Sequence, residues 1–133
     1  MRVHHIGYIV RSMVEAKEIF SSMGYEVFDS TTDNRRDIEI AFVNNENVLV
    51  ELIMPLSDKA VVNSYLKKNG PTPYHICYLV NNLESQLENM RSNGFIIVEK
   101  PEAAPALENR KVAFLFHKDI GLVELLEEDR CNE

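Results

Sequence analysis

The first half of the chain alternates between two kinds of hydrophobic pattern. The β-branched and aromatic stretch HHIGYIV, His4 to Val10, predicts a strand, and the apolar spacing from Ser12 to Met23 predicts an amphipathic helix that ends near a glycine. Short apolar runs bounded by polar turns then predict three further strands: Tyr25 to Phe28, Ile38 to Val43 and Val48 to Met54. The order is therefore βαβββ.

The second half repeats this order. A helix is predicted from Leu83 to Arg91, and the predicted strands are Pro73 to Val80, Phe95 to Val98, Lys111 to Phe116 and Gly121 to Leu126. Between the halves, the spacing from Asp58 to Lys68 predicts a connecting helix stopped by a Gly-Pro pair. The last residues, EDRCNE, have the composition of a tail.

Sequence matches support an internal duplication. HHIGYIV matches YHICYLV at an offset of 70, AFV at Ala41 matches AFL at Ala113 at an offset of 72, and VELI at Val50 matches VELL at Val123 at an offset of 73. We therefore predict an α+β fold of two tandem βαβββ modules within one domain, residues 1–133. Module one spans residues 1–56, the linker helix 57–70 and module two 71–128.

Composition narrows the classes of partner. The chain has 133 residues, 45% of them hydrophobic, and a net charge of −7, which disfavours a nucleic-acid partner because such proteins need a basic surface. No apolar run approaches the roughly 20 residues that span a membrane. Cys77 and Cys131 are too few for a disulfide framework. We expect a soluble, cytoplasmic protein that binds a small molecule.

One glutamate interrupts the last predicted strand of each module. Glu51 lies in LVELIMP and Glu124 in LVELLEE, where their neighbours along the strand are apolar. An unpaired carboxylate in that setting would destabilise the fold, so each glutamate needs a partner. The repeat supplies His5 and His75 at equivalent positions. Strand alternation puts His4 on the face opposite His5, so we favour His5.

Two imidazoles and two carboxylates suit a divalent ion such as Zn, Ni, Co, Fe or Mn. Considered alone, a glutamate in a strand more often points to solvent, and a histidine near an N-terminus usually has no functional role. The joint alternative is a buried His–Glu ion-pair network without metal. We predict a metal site formed by His5, Glu51, His75 and Glu124.

The sequence resembles the vicinal oxygen chelate superfamily over nearly its whole length. The resemblance rests on the segments HHIGYIV, VLVELIMP, TPYHICYLV and KVAFLFHKDIGLVELLEE. It implies paired βαβββ modules whose curved mixed sheet forms a cleft around one divalent metal. It also implies that His5, Glu51, His75 and Glu124 bind that metal, with water or substrate in the open positions.

Within the family, the sequence is similar to glyoxalase I (lactoylglutathione lyase) and to methylmalonyl-CoA epimerase. Both imply removal of a proton beside a carbonyl, with an enediolate-like anion held on the metal and Glu124 or Glu51 as the base. The epimerases carry a further glutamate in a Glu-x-Gly-Val-like stretch that aligns with RRDI, where this chain has Arg35. Asp37 or Glu39 would have to substitute for it.

A glyoxalase I-like lyase acting on a hemithioacetal of a 2-oxoaldehyde is therefore the first hypothesis, and an epimerase is the alternative. A non-catalytic ligand-binding or antibiotic-binding protein, of the bleomycin-resistance type, is a further alternative that the four potential ligands argue against. Because the cleft of such modules often closes by pairing, we expect a homodimer, and the alternative is that the two modules pair within one chain.

Charged and polar residues in turns form the least specific signal. They could hold a glutathione carboxylate or a phosphate, although such side chains are usually only solvated: Arg35, Arg36, Asn109, Arg110, His117 and Lys118. Cys77 shares a strand face with His75, and a buried structural thiol is the favoured interpretation.

Overall fold

The computed structural model describes residues 1–128, which form two compact units. The N-terminal unit comprises His5–Tyr74. The C-terminal unit comprises Met1–His4 and the described residues from His75 onward. The predicted tail from residue 129 onward, with Cys131, lies outside the described residues.

The N-terminal unit follows the predicted order of strand, helix and three strands, with one more helix after them. Its elements are the residues of β1 (Arg2–Ile9) from His5 onward, α1 (Met13–Ser22), β2 (Glu26–Asp33), β3 (Ile38–Asn45), β4 (Val48–Pro55) and α2 (Val61–Asn69). The strands lie in the order β2-β3-β4-β1, with β2, β3 and β4 antiparallel and β1 parallel to β4. The crossover from β1 through α1 makes that parallel pairing possible.

The C-terminal unit repeats this arrangement. Its elements are the residues of β5 (Thr72–Val80) from His75 onward, α3 (Leu83–Arg91), β6 (Ile96–Ala104), a 3₁₀ turn (Pro105–Leu107), β7 (Arg110–His117) and β8 (Gly121–Glu127). The strands lie in the order β5-β8-β7-β6, and β5 runs parallel to β8. The predicted α+β class and the two βαβββ modules are confirmed.

Matching local signals start and stop the first helix of each unit. The Ser12 side chain accepts a hydrogen bond of 3.3 Å from the Glu15 backbone N–H at the start of α1, and Asn82 accepts one of 3.0 Å from Ser85 at the start of α3. Such caps satisfy backbone donors that a helix leaves unpaired. After each helix the chain reverses at a glycine with positive φ, which only glycine adopts without strain.

Each unit has its own apolar core on one face of its strands. The N-terminal core contains Val10, Met13, Ala41, Val43, Val50 and Leu52, and the C-terminal core contains Val80, Leu83, Leu87, Met90, Ala113, Leu115, Val123 and Leu125. In β4 and β8 four consecutive residues are buried. These strands are therefore covered on both faces.

Three predicted boundaries need correction. β2 was predicted to end at Phe28 and β6 at Val98, but they run to Asp33 and Ala104. Both strands have a neighbour on only one side within their unit and bear register shifts, so their side chains are largely exposed and give no apolar alternation. The linker helix begins at Val61 instead of Asp58.

Within residues 1–128, no helix combines the length and the apolar character needed to cross a membrane.

Truncating one core leucine in either unit should destabilise the protein strongly. Leu52 and Leu125 are fully buried at repeat-equivalent positions. We expect Leu52→Ala and Leu125→Ala each to lower the free energy of unfolding by about 2–5 kcal/mol, because each leaves a cavity. Urea denaturation followed by circular dichroism measures this. Ile120→Ala is the control, since Ile120 is 67% exposed and its truncation should change little. Equal losses in all three variants would contradict the assignment of these cores.

Candidate functional site

The N-terminal unit brings His5 and Glu51 together on neighbouring parallel strands. Gly7 in β1 pairs in register with Glu51 in β4, and the period of two puts His5 on the same face as Gly7. His5 Nε2 lies 3.6 Å from Glu51 Oε2, and the two residues are only 1% and 4% exposed. A buried imidazole therefore faces a buried carboxylate.

The C-terminal unit contains the equivalent pair. Cys77 in β5 pairs in register with Glu124 in β8, and His75 lies two residues before Cys77 on the same face. His75 Nε2 lies 3.0 Å from Glu124 Oε1, within hydrogen-bonding distance, and both residues are buried. The structure thus joins each predicted glutamate to the histidine of its own unit.

A phenylalanine completes each pair. Phe42 in β3 is the cross-strand partner of Glu51, and its ring packs edge-to-face on His5 at a centroid distance of 5.6 Å. Phe114 in β7 is the cross-strand partner of Glu124 and packs on His75 at 5.2 Å. The sequence analysis missed both as site residues, although their equivalent places in AFV and AFL carried the signal.

The glutamates lie on the strand face opposite the apolar cores. In β4, Val50 and Leu52 point into the N-terminal core, so Glu51 between them points to the other face. In β8, Val123 and Leu125 are the corresponding core residues on either side of Glu124. The apolar neighbours that make the sequence unusual are therefore on the far side of the sheet from the carboxylates.

The donor atoms fit a divalent metal ion. His5, Glu51, His75 and Glu124 are residues of the described chain that could hold such an ion. Imidazole nitrogen and carboxylate oxygen together are ligands for Zn and neighbouring first-row metals. A cation would also offset the cost of burying two carboxylates. The predicted ligand set is thus chemically suited to a metal.

His4 and Cys77 are two further residues that could hold a metal ion. His4 is half-buried and lies on the β1 face opposite His5, as alternation predicts. Cys77 is fully buried next to Glu124 in register, which agrees with a structural thiol.

The turn between β2 and β3 includes Arg35 and Asp37 of RRDI, which aligns with the Glu-x-Gly-Val-like stretch of the epimerases. Arg35 is exposed in that turn. Asp37 has a positive φ of 59°, the conformation that glycine favours, and accepts a hydrogen bond from the Ser57 hydroxyl. Glu39 pairs with Met54 on the core face, opposite Glu51. Glu39 therefore cannot act beside Glu51.

Asp33 is a buried residue that the sequence analysis did not identify. It lies 2% exposed at the end of β2, pairs in register with Ile38, and accepts hydrogen bonds from the Arg36 backbone N–H and from Arg36 Nη1 at 3.1 and 2.7 Å. The polar DSTTD segment resembled a loop and gave no signal of burial. The pair fixes the conformation of the β2–β3 turn, which makes Arg36 at least partly structural.

The remaining basic candidates lie elsewhere in the C-terminal unit. His117 points to the core face of β7, away from Glu124, and its ring packs on Phe95 at 4.9 Å. Arg110 Nε donates to the Leu107 carbonyl oxygen, and Lys118 is 85% exposed. Asn109 follows Glu108 in a left-handed turn. His117 therefore lies on the face of β7 opposite the face that carries the site.

Comparison with known proteins agrees with the duplicated fold. The family model described as Glyoxalase/Bleomycin resistance protein/Dioxygenase superfamily matches residues 4–114. An uncharacterised Bacillus subtilis protein, YqjC, is 29% identical over 99% of this chain and 97% of its own length. The mitochondrial methylmalonyl-CoA epimerase of Bos taurus is 27% identical over 93% of this chain and 73% of its own length.

A solved structure with the same fold comes from Streptomyces coelicolor. It is a variant of methylmalonyl-CoA epimerase in complex with 2-nitronate-propionyl-CoA. Its TM-score is 0.84 with 21% identity, over 98% of this chain and 96% of that one. Together with the family match over most of the chain, these findings mean that the protein belongs to the glyoxalase/bleomycin resistance protein/dioxygenase superfamily, also called the vicinal oxygen chelate superfamily.

Proposed function

We propose that this protein is a metal-dependent epimerase that moves a proton at the carbon beside the thioester of an acyl-CoA of the methylmalonyl-CoA type. The observation that carries the proposal is the duplicated buried His–Glu pair, His5 with Glu51 and His75 with Glu124. The relatives named methylmalonyl-CoA epimerase favour this reaction over the glyoxalase I-like lyase that was the first hypothesis.

We propose that His5, Glu51, His75 and Glu124 together hold one divalent ion. When bound, the ion supplies positive charge beside the substrate carbonyl and so lowers the cost of removing the adjacent proton. The two imidazoles would act as neutral nitrogen donors, and each carboxylate would offset charge of the ion while it is ionised.

Inversion of a carbon centre needs a proton removed from one side and returned on the other. Glu51 and Glu124 occupy equivalent positions in the two units, so the chain offers two buried carboxylates for these two steps. In this proposal one carboxylate accepts the proton and the other, protonated, gives one back. Arg35 has no carboxylate and Glu39 lies on the core face, so neither replaces Glu51 or Glu124.

A glyoxalase I-like isomerisation is the second candidate. It is favoured by one departure from the epimerase pattern, the exposed Arg35 where that pattern has glutamate. Glyoxalase-type proton transfer between adjacent carbons would use the same carboxylates, Glu51 and Glu124. The substrate, and not the ligand set, separates the two reactions.

Metal analysis of the purified protein tests the shared site. We expect about one divalent ion per chain, and His5→Ala and His75→Ala should each weaken its binding by about 10-fold or more, because each removes a nitrogen ligand. Elemental analysis and chelator competition measure this. His117→Ala is the matched control, since His117 is a histidine on the core face. A chain that takes up no divalent ion under any loading condition would contradict the metal site.

Replacing either glutamate with glutamine tests its role in proton transfer. Glutamine keeps an oxygen donor but no longer accepts a proton, so activity should fall by about 10²- to 10⁴-fold while metal occupancy falls less. Rates are to be measured for Glu124→Gln and Glu51→Gln at full metal occupancy.

Glu39→Gln is the matched control, because it removes a carboxylate from the core face of the N-terminal unit and should leave the rate unchanged. Unequal losses in the two site variants identify the carboxylate that removes the proton. Parent rates in both site variants would refute proton transfer by these residues.

Solvent-deuterium exchange distinguishes the two substrates. In D₂O the metal-loaded protein should incorporate deuterium at the carbon beside the thioester of methylmalonyl-CoA, as followed by NMR. We expect the hemithioacetal of methylglyoxal and glutathione to turn over at least about 10-fold more slowly. A 10-fold ratio needs only a modest difference in transition-state binding between the two substrates. The opposite ranking would replace the epimerase proposal with the lyase.

A further inference from the structure

We propose that Phe42 and Phe114 are positioning residues that fix the rings of His5 and His75 so that Nε2 is directed toward the paired glutamate. The orientation of each ring is a property of the chain itself. Its use in metal binding rests on the proposed function.

The contact geometry is the first support. The ring planes of Phe42 and His5 meet at 77° and those of Phe114 and His75 at 86°, which is edge-to-face packing in both units. Centroid distances of 5.6 and 5.2 Å lie within the range in which such aromatic pairs attract each other. Each ring therefore has a preferred tilt.

The strand order shows that the two rings in contact come from strands that are not neighbours. In the N-terminal unit β4, which carries Glu51, lies between β3 with Phe42 and β1 with His5. Strands two places apart are separated by about 9–10 Å, yet the two rings are 5.6 Å apart. The phenyl and imidazole rings must therefore lean toward each other across the strand that carries the glutamate.

The C-terminal unit repeats this arrangement. β8 with Glu124 lies between β7 with Phe114 and β5 with His75, and Phe114 is the cross-strand partner of Glu124. The phenylalanines are half-buried, whereas the histidines and glutamates are buried. In each unit a half-buried phenyl ring thus lies against a buried imidazole.

Ring orientation matters because the two edges of an imidazole differ. A half-turn about the bond joining the ring to its side chain moves Nε2 away and brings carbon toward the glutamate. A half-turn leaves the plane of the imidazole unchanged, so the nearby carboxylate and not the phenyl ring selects the nitrogen edge. Phe42 and Phe114 hold the plane of each imidazole, and the imidazole must rotate past the phenyl ring to turn, so the nitrogen edge stays facing the carboxylate before any ligand binds.

Side-chain NMR of the metal-free protein tests the inference directly. With ¹⁵N-labelled histidine, His5 and His75 in the parent should each give one set of ring signals. Phe42→Leu should broaden or double the signals of His5, and Phe114→Leu those of His75, since leucine fills space without a flat ring. Phe42→Tyr and Phe114→Tyr each keep a flat aromatic ring and should therefore show the single set of signals seen in the parent.

A phenylalanine on an unrelated histidine is the matched control. Phe95 packs on His117, which lies on the core face. Phe95→Leu should alter the His117 signals and leave those of His5 and His75 unchanged. If a leucine variant does not fold, as judged by circular dichroism, the corresponding Phe→Met variant removes the ring with a closer match in volume.

Metal affinity provides the second measurement. Competition between Co²⁺ and a chelator should give about 2- to 10-fold weaker binding in each site leucine variant and parent affinity in Phe95→Leu. Unchanged signals of His5 and His75 in the leucine variants, or equal changes in Phe95→Leu, would overturn the inference. If the parent binds metal but acts on no acyl-CoA, the proposed reaction fails alone. If it binds no metal, the NMR result still decides the positioning role.

Discussion

The burial of a carboxylate in the middle of a sheet is the constraint on which the rest of this structure depends. A charge placed there without compensation would cost several kcal/mol, so the fold must bring a partner to each glutamate. The parallel pairings β1–β4 and β5–β8 do this, because they set a histidine on the same face and close to the carboxylate. The register of the strand pairing therefore determines which side chains meet at the site.

Because the module is duplicated, both units pair a buried glutamate with a histidine in the same way. Each unit presents a histidine, a glutamate and a phenylalanine from three adjacent strands, and each unit closes its opposite face with a helix and an apolar core. Residues without a repeat partner behave differently. His117 is half-buried and packs on Phe95, and Arg36 is held by Asp33 in a turn. Repeat equivalence thus separates the candidate site from ordinary polar positions.

Alternation along the strands also limits which carboxylates take part in chemistry. Glu39 and Glu51 are separated by only 12 positions in the chain and lie on paired strands, but they point to opposite faces. Asp37 takes a glycine-like conformation and is hydrogen-bonded to Ser57. Asp37 thus has a glycine-like φ at the position that aligns with the glycine of the Glu-x-Gly-Val-like stretch, and Arg35 occupies the position that aligns with its glutamate. Within that stretch and β4, Glu51 is the buried carboxylate on the site face.

The sequence by itself determined the two βαβββ modules and the equivalent positions of His5, Glu51, His75 and Glu124, because periodicity and internal repeats are local or near-local signals. Only the tertiary structure decided how far β2 and β6 extend, that Asp33 is buried with Arg36, and that Phe42 and Phe114 pack on the histidines. These features depend on which strands become neighbours and in which register. Hydrophobic patterning along one segment carries no information about the side chain that will lie across from it.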